Sequence, residues 1–346
     1  MVLAMDYARL LGIRGSLHAE WIASPALEGN ALGDPAERPV LVYTPPGYDP
    51  QGSRRYPVLY VLHGYTGDAR SMIASRPWEC GVVQWIDRLI AEHRMPETLL
   101  AIVDGFTRLG GSQYVDSIHN GDYATYVIRD VVGHVDATYR TIAREGGRAV
   151  LGKSSGGFGS VHLCLEYPGT FAAFCSHSGD AYFTLAHPAY FPAAQRVLER
   201  HGHDIAAFVT AFERKHKRSS DEYATMEILG YAAAYSPRSA RPFDLDLPFD
   251  GETGALRRDV FDAWLGFDPV ERIPKRAAAL TRLRLRFVDC GRRDEYGLDI
   301  GARLMAQRMR ELGLDVRHEE FDDDHRNTTY RFEVSLPALA EVLDQE

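Results

Sequence analysis

The chain has 346 residues, a formal net charge of −9 at pH 7 and an isoelectric point near 5.8. Its one notable basic run, Arg214 to Arg218, is typical of a solvated helix end, and no extended Lys/Arg cluster is present to neutralise phosphates. This balance excludes nucleic acid and an anionic membrane as expected partners. Hydrophobic residues make up 45% of the chain and aromatic residues 11%, enough for a large core throughout.

The N-terminal sequence and the lengths of the apolar runs bear on where the protein is located. The first fifteen residues lack the basic start, apolar stretch and cleavage site of a secretory signal. No segment approaches the roughly 18 consecutive apolar residues of a membrane span. We therefore expect a cytoplasmic protein.

The four cysteines lack C-x-x-C spacing, which favours core packing over a zinc or redox site: Cys80, Cys164, Cys175 and Cys290.

Short apolar runs bounded by turn residues alternate with helical patterns, which predicts an α/β fold with a mostly parallel sheet. Two runs, Leu17 to Ile22 and Val40 to Tyr43, are expected to form an antiparallel pair at a sheet edge. Four further strand candidates are brief and apolar, as buried parallel strands are: Val58 to Leu62, Leu99 to Val103, Ala149 to Leu151 and Ala172 to Cys175. Leu283 to Val288 and Val316 to Phe321 are expected to be the last two strands.

The clearest predicted helix spans Tyr123 to Tyr139, where apolar residues recur at helical spacing. Asn120 or Asp122 is available as its N-terminal cap. This helix leads into the predicted strand that precedes Ser154.

From about Asp180 to Arg276 the alternation of strand and helix is lost. Helices are predicted around Ile205 to Arg214 and Glu222 to Tyr235, and the Pro- and Asp-rich stretch Ser236 to Gly254 is predicted to be mostly loop. An insertion at this point would lie over the carboxyl ends of the sheet, where ligands bind in open α/β folds. We predict an α/β-hydrolase core in residues 1–179 and 277–346 and a helical cap in residues 180–276.

The segment Gly152-Lys153-Ser154-Ser155-Gly156 follows an apolar strand and opens a helical pattern. G-x-S-x-G in this context predicts a nucleophile elbow, in which a tight turn lifts the serine hydroxyl above the sheet and requires small flanking residues. Ser154 is the predicted nucleophile, with Ser155 a weaker candidate. A phosphate-binding loop is excluded because the residues before Gly152 do not form G-x-x-x-x-G-K-[ST].

A serine nucleophile needs a base and an orienting acid, which follow it in the order acid, then histidine, in this fold. His325 lies in the polar loop after the last predicted strand and is the predicted base. Asp294, in the loop after the preceding strand, is the predicted acid, and Asp289 is the alternative. The other late histidines fall in the cap or within a strand, and the neighbouring acidic run Asp322 to Asp324 is not expected to hold a metal.

The predicted oxyanion hole combines two backbone N–H groups, those of Tyr65 and Ser155. The strand ending at His63 and Gly64 is expected to aim the first of these at Ser154, because Gly64 permits close approach. His63 is expected to be structural.

With these residues in place, the chain resembles the putative-esterase family, which includes S-formylglutathione hydrolases, feruloyl esterases, enterochelin-type siderophore esterases and mycolyltransferases. The resemblance covers most of residues 38–345. Beyond the elbow it includes the stretch Gly110 to Ser117, followed by Tyr126 to Arg140, and the pairs Gly291 with Asp294 and Asp324 with His325. It implies a hydrolytic triad and an acyl-serine intermediate.

These patterns predict a serine carboxylic-ester hydrolase acting on a small or medium ester or thioester without metal or organic cofactor. Acyl transfer to an alcohol and a catalytically silent binding protein remain alternatives. The expected partner is a small-molecule ester, and a homo-oligomer is compatible with the sequence. Cap aromatics are candidates for shaping the pocket, or alternatively for packing a core: Tyr182, Phe183, Tyr190, Phe191 and Trp264.

Overall fold

The computed structural model of the chain describes residues 7–74 and 78–345. Its strands are β1 Ser16–Ala23, β2 Glu37–Thr44, β3 Val58–Leu62, β4 Leu99–Val103, β5 Asp116–Ser117, β6 Gly121–Asp122, β7 Arg148–Lys153, β8 Ala173–His177, β9 Leu285–Gly291 and β10 Arg317–Phe321. Eight of them form one sheet in the order β1-β2-β4-β3-β7-β8-β9-β10, and β5 and β6 form a small hairpin. Strand β2 is antiparallel to both of its neighbours, and the other main-sheet neighbours are parallel.

Helices connect the strands, and those outside residues 180–276 include helices that pack on the two faces of the sheet. The helices are α1 Tyr7–Leu11, α2 Ala69–Ile73, α3 Val82–Ala91, α4 Tyr123–Thr125, α5 Val132–Thr138, α6 Ser155–Glu166, α7 Phe183–Ala186, α8 Phe191–Glu199, α9 Ile205–Arg214, α10 Ser220–Tyr235, α11 Arg258–Leu265, α12 Pro269–Arg272, α13 Ala277–Thr281, α14 Leu298–Glu311 and α15 Phe332–Glu341. None of the helices in the described residues is long and apolar enough to cross a membrane.

The central strands β3 and β4 are buried on both faces, which explains why they are apolar without interruption, whereas the edge strand β10 is partly exposed and charged. Along β3, Val58, Tyr60 and Leu62 pack into the core on one face, whereas Leu59 and Val61 pack into the core on the other. The predicted mostly parallel α/β sheet and the antiparallel pair at its edge are confirmed.

The helix predicted from Tyr123 to Tyr139 is present but differs in detail. It runs through α4, a π-helical stretch at Tyr126–Val131 and α5, and it ends at Thr138. The prediction of its cap was wrong: neither Asn120 nor Asp122 binds the free N–H groups of the first turn. The carboxylate of Asp116 accepts the Thr125 N–H at 2.8 Å instead. Because β5 and β6 bring Asp116 beside this helix, the cap comes from a tertiary contact.

Residues 180–276 are mainly helical, with the predicted helices appearing as α9 and α10. Residues 236–254 contain no named helix or strand, as predicted. Apolar side chains of this segment form a core of their own, which also includes Phe158 from α6. We call residues 180–276 the cap segment.

Candidate active site

A cavity of about 960 Å³ lies at the carboxyl ends of the parallel strands. Ser154 and His325 line it from the sheet side, and Tyr190 and Glu227 line it from the cap segment. The sheet therefore brings the predicted nucleophile and the predicted base to one space. Their separation along the chain is 171 residues, so only the tertiary fold joins them.

Ser154 occupies the sharp turn between β7 and α6 with φ 57° and ψ −125°, a strained conformation for a residue with a side chain. Gly152 and Gly156 flank Ser154, and neither position has room for a side chain. A Cβ at Gly152 would lie 2.3 Å from the Gly156 carbonyl oxygen, and one at Gly156 would lie 2.1 Å from the Leu62 carbonyl oxygen. The Ser154 N–H donates to the His177 carbonyl at 2.9 Å, which ties the turn to β8.

His325 donates its Nδ1–H to Asp294 Oδ2 at 2.7 Å. In a neutral imidazole this bond places the ring proton on Nδ1 and leaves Nε2 as an acceptor. Burial alone would raise the pKa of Asp294, but the bond and charge of His325 and the N–H groups of Tyr296 and Leu298 hold it below its ordinary value. The Tyr296 ring meets the His325 ring edge-on at 4.8 Å, which restrains the imidazole further.

Asp289, the alternative acid, has a different position. It lies fully buried in β9, where Oδ1 accepts from His177 Nδ1 at 2.6 Å and Oδ2 accepts from Arg331 Nε at 2.9 Å. His177 Nε2 in turn contacts Ser335 Oγ at 2.8 Å. This group contains a serine, a histidine and an aspartate, but none of its members lines the cavity. It joins α15 to the sheet as a buried ion-pair network.

The loop after β3 is held close to Ser154. A Cβ at Gly64 would lie 3.3 Å from Ser154 Cβ, so a larger residue would crowd Ser154. The Tyr65 hydroxyl donates to the Leu109 carbonyl at 2.8 Å, which fixes the residue whose N–H is the predicted oxyanion donor. His63 is structural, as expected: its Nε2 accepts the Gly105 N–H at 2.8 Å. The second predicted donor, the Ser155 N–H, is at the start of α6, where backbone N–H groups lack helical partners.

Two carboxyl groups of the cap segment line the cavity and were not predicted from the sequence, and Glu295 lines it from the opposite side. Asp180 follows β8, and Glu227 projects from α10. The Tyr231 hydroxyl lies between them, 3.2 Å from Asp180 Oδ2 and 3.0 Å from Glu227 Oε1. The Ser155 hydroxyl is 3.4 Å from Asp180 Oδ2. A signal for Glu227 was present, since it is the lone charge in an apolar helical stretch, on the same face as Tyr231 one turn later.

Burial raises the pKa of Glu227 to about 7, with a further contribution from Asp180. The folded environment disfavours the charged form of this carboxyl group. The group therefore lowers the free energy of unfolding at a pH where it is ionised in the unfolded chain, and the effect is largest at high pH. Glu227→Gln should therefore stabilise the protein by about 1–2 kcal/mol at pH 8, after allowance for solvent in the cavity. At pH 4, where both states are protonated, the melting temperatures should coincide. Melting curves at the two pH values measure this, and an equal gain at both would contradict it.

The cap aromatics divide into cavity and core residues. Tyr190 lines the cavity, whereas Phe183, Phe191 and Trp264 pack in the core of the cap segment. The hypothesis that Trp264 shapes the pocket is therefore wrong. It is fully buried and donates its Nε1–H to Ser236 Oγ at 2.7 Å.

Trp264→Ala should destabilise the protein by about 3–5 kcal/mol, because it opens a cavity in a closely packed aromatic core. Its preference among acyl chain lengths should match that of the wild type, measured well below the melting temperature of the variant. A changed preference with normal stability would place Trp264 at the substrate instead.

A protein-family model described as "Putative esterase" matches residues 30–339. Among curated proteins, Esterase Rv1288 of Mycobacterium tuberculosis is 31% identical over 153 residues, which are 41% of this chain and 29% of that protein. The match thus takes in less than a third of the relative's length.

Solved structures share the fold. A ferulic acid esterase has a TM-score of 0.62 at 19% identity, covering 96% of this chain and 100% of its own. An S-formylglutathione hydrolase from Agrobacterium tumefaciens has a TM-score of 0.58 at 14% identity, covering 96% of this chain and 97% of its own. The family match spans most of the chain, and the neighbours share its α/β-hydrolase fold. The chain belongs to the putative-esterase family.

Proposed function

We propose that this chain is a serine carboxylic-ester hydrolase with Ser154 as nucleophile, His325 as base and Asp294 as orienting acid. The observation that carries the proposal is the His325–Asp294 hydrogen bond at 2.7 Å beside a cavity that also receives the strained Ser154. Acyl transfer through a serine requires a serine hydroxyl, an imidazole that accepts its proton and a carboxylate that orients the imidazole. Membership of an esterase family supports the same chemistry.

In the proposed reaction, Ser154 Oγ attacks the ester carbonyl while His325 Nε2 takes the hydroxyl proton. Asp294 stabilises the imidazolium, and the N–H groups of Tyr65 and Ser155 hold the oxyanion. The intermediate then collapses: the bond to the alcohol oxygen breaks, and His325 returns its proton to the departing alcohol. Water repeats the cycle on the acyl-serine and releases the acid.

We further propose that the cap segment covers the bound substrate. The cavity volume of about 960 Å³ is at the upper end of small-molecule sites and fits a small or medium ester or thioester. Residues of α10 form one wall of this space and the ends of the parallel strands form the other.

The direct test is hydrolysis of p-nitrophenyl esters from acetate to octanoate, with product analysis in the presence of added alcohols. We expect turnover of the shorter esters and release of free acid as the main product. Predominant transfer to the added alcohol would favour an acyltransferase. A folded protein inert toward the whole series would contradict the proposal.

A further inference from the structure

The cap side of the cavity presents acceptors without enough donors. Asp180 and Glu227 share the Tyr231 hydroxyl, which has only one proton to donate, and the one further side-chain donor to the pair in the described residues is the Ser155 hydroxyl, 3.4 Å from Asp180 Oδ2. In residues 7–74 and 78–345, no salt bridge links either carboxylate to a cationic side chain. Burial raises the pKa of Asp180 to about 6 and that of Glu227 to about 7. A buried carboxyl group, Asp180, next to the partly buried Glu227 reduces the stability of the free protein.

Two basic side chains line this cavity, and neither forms an ion pair with Asp180 or Glu227 in the described residues. Arg326 donates Nε–H to Glu295 Oε1 at 3.1 Å. Burial lowers the pKa of Lys153, and the carboxylates that oppose this shift are Asp294, Glu295 and their neighbours in the loop before His325. Neither Lys153 nor Arg326 is among the charges that shift the pKa of Asp180 or Glu227, so neither cation compensates the pair on the cap side.

Aromatic rings surround the same pair. Tyr190 and Tyr296 line the cavity, with ring centroids 6.2 Å apart. Burial raises the pKa of Tyr190 to about 12, with contributions from Tyr296 and then Glu227, so the carboxylate lies within electrostatic range of the ring. Tyr223 and Tyr231 add two more rings to the lining. Aromatic faces attract cations, and they do so most strongly where water is excluded.

His187 lies beside Tyr231 on the same wall of the cavity and gives an independent observation. It lines the cavity, is 3% exposed, and its ring centroid lies 4.4 Å from that of Tyr231. Its Nε2 is buried and has no hydrogen-bond partner. Burial lowers the pKa of His187 to about 3, so the ring is neutral at physiological pH. A buried polar atom without a partner is uncommon and points to a missing hydrogen-bonding group, which the N–H of a protonated tertiary ammonium would supply and a quaternary ammonium would not.

We propose that Asp180, Glu227 and the surrounding tyrosines form a subsite for a positively charged amine of the ester substrate, either a quaternary or a protonated tertiary ammonium. The cation completes the ion pair that the carboxylates lack and lies against the faces of Tyr190 and Tyr296. Asp180 contacts the Ser155 hydroxyl beside the nucleophile, so the ammonium lies a few bonds from the ester carbonyl. The substrate class rests on the proposed ester hydrolysis, whereas the cation subsite does not require turnover.

The turnover experiment compares matched esters: choline butyrate and the isosteric dimethylbutyl ester in which carbon replaces the quaternary nitrogen. In a second pair, both members are p-nitrophenyl esters, and the acyl chain of one carries the quaternary ammonium while that of the other carries its carbon isostere. We expect the wild type to favour the cationic member of at least one pair by about 10-fold or more in kcat/KM. Glu227→Gln should reduce that ratio to within about 3-fold of unity. A wild type without preference in either pair would overturn the inference.

Two sets of controls separate the subsite from general electrostatics. Asp221→Asn removes the same charge from the exposed side of α10, outside the cavity lining, and should keep the wild-type ratio. Tyr190→Phe should also keep it, because the ring remains, whereas Tyr190→Leu should lower it. If Asp221→Asn lowered the preference for the cationic ester as much as Glu227→Gln does, that result would contradict a local subsite.

Binding of choline to Ser154→Ala, measured by calorimetry, tests the subsite without turnover. Choline should bind Ser154→Ala, and the added Glu227→Gln change should weaken its affinity about 10-fold. Equal binding by both variants, or binding by neither, would overturn the inference. Choline binding in a protein whose wild type hydrolyses no ester would instead count against the proposed function and leave the subsite supported.

Discussion

Ser154→Ala should lower kcat/KM for p-nitrophenyl esters by at least about 10⁴-fold, because no acyl-serine can form and only the oxyanion donors and substrate binding remain. The variant should fold normally, since alanine at this position removes a single hydroxyl oxygen next to the cavity. Initial rates under identical conditions, with circular dichroism and melting curves for both proteins, measure the effect.

The matched control is Ser155→Ala, which removes the neighbouring hydroxyl but keeps the backbone N–H at the start of α6. We expect its activity to stay within about 10-fold of the wild type, because losing a hydrogen bond to Asp180 changes only the surroundings of the site. A large loss in Ser155→Ala with activity retained in Ser154→Ala would reverse the assignment of the nucleophile.

Asp294→Asn should lower kcat by about 10⁴-fold, because an amide in place of the carboxylate favours the wrong tautomer of His325 and no longer stabilises the imidazolium. Steady-state kinetics of the purified variant provide the measurement. The effect should appear in kcat more than in KM, since Asp294 does not line the cavity and does not bind the ester.

Asp289→Asn distinguishes the two acids. Its carboxylate is held by His177 and Arg331 away from the cavity, so kcat should remain within about 10-fold of the wild type. Stability should fall by about 3–5 kcal/mol, because Arg331 and His177 are left without their buried partner. A 10⁴-fold loss in Asp289→Asn, with Asp294→Asn active, would assign the acid to β9.

The features that sequence could predict are those that depend on short stretches of chain. The turn at Ser154 is specified within five residues, because its glycines are required by the close approach of Gly152, Gly156 and the end of β3. The strands β3 and β4 have the predicted bounds, since both faces of each strand are buried and the apolar run ends where the strand ends.

The features that sequence missed depend on contacts between distant residues. The first turn of α4 is capped by Asp116 from another element, which no local pattern indicates. Trp264 and Tyr190 are both aromatic residues of the cap segment, yet only the packing of its helices decides that one is core and the other lines the cavity. Likewise, Asp180 and Glu227 are 47 residues apart and meet only because α10 folds back over the end of β8.

The most direct test of the central proposal is labelling with a fluorophosphonate probe, followed by peptide mapping. A serine activated by His325 and Asp294 should react with one probe per chain, on the peptide that contains Ser154, and Ser154→Ala and Asp294→Asn should block or greatly slow the reaction. Absence of labelling in folded wild-type protein, or labelling at a serine outside the cavity, would contradict the assignment of the nucleophile and its relay.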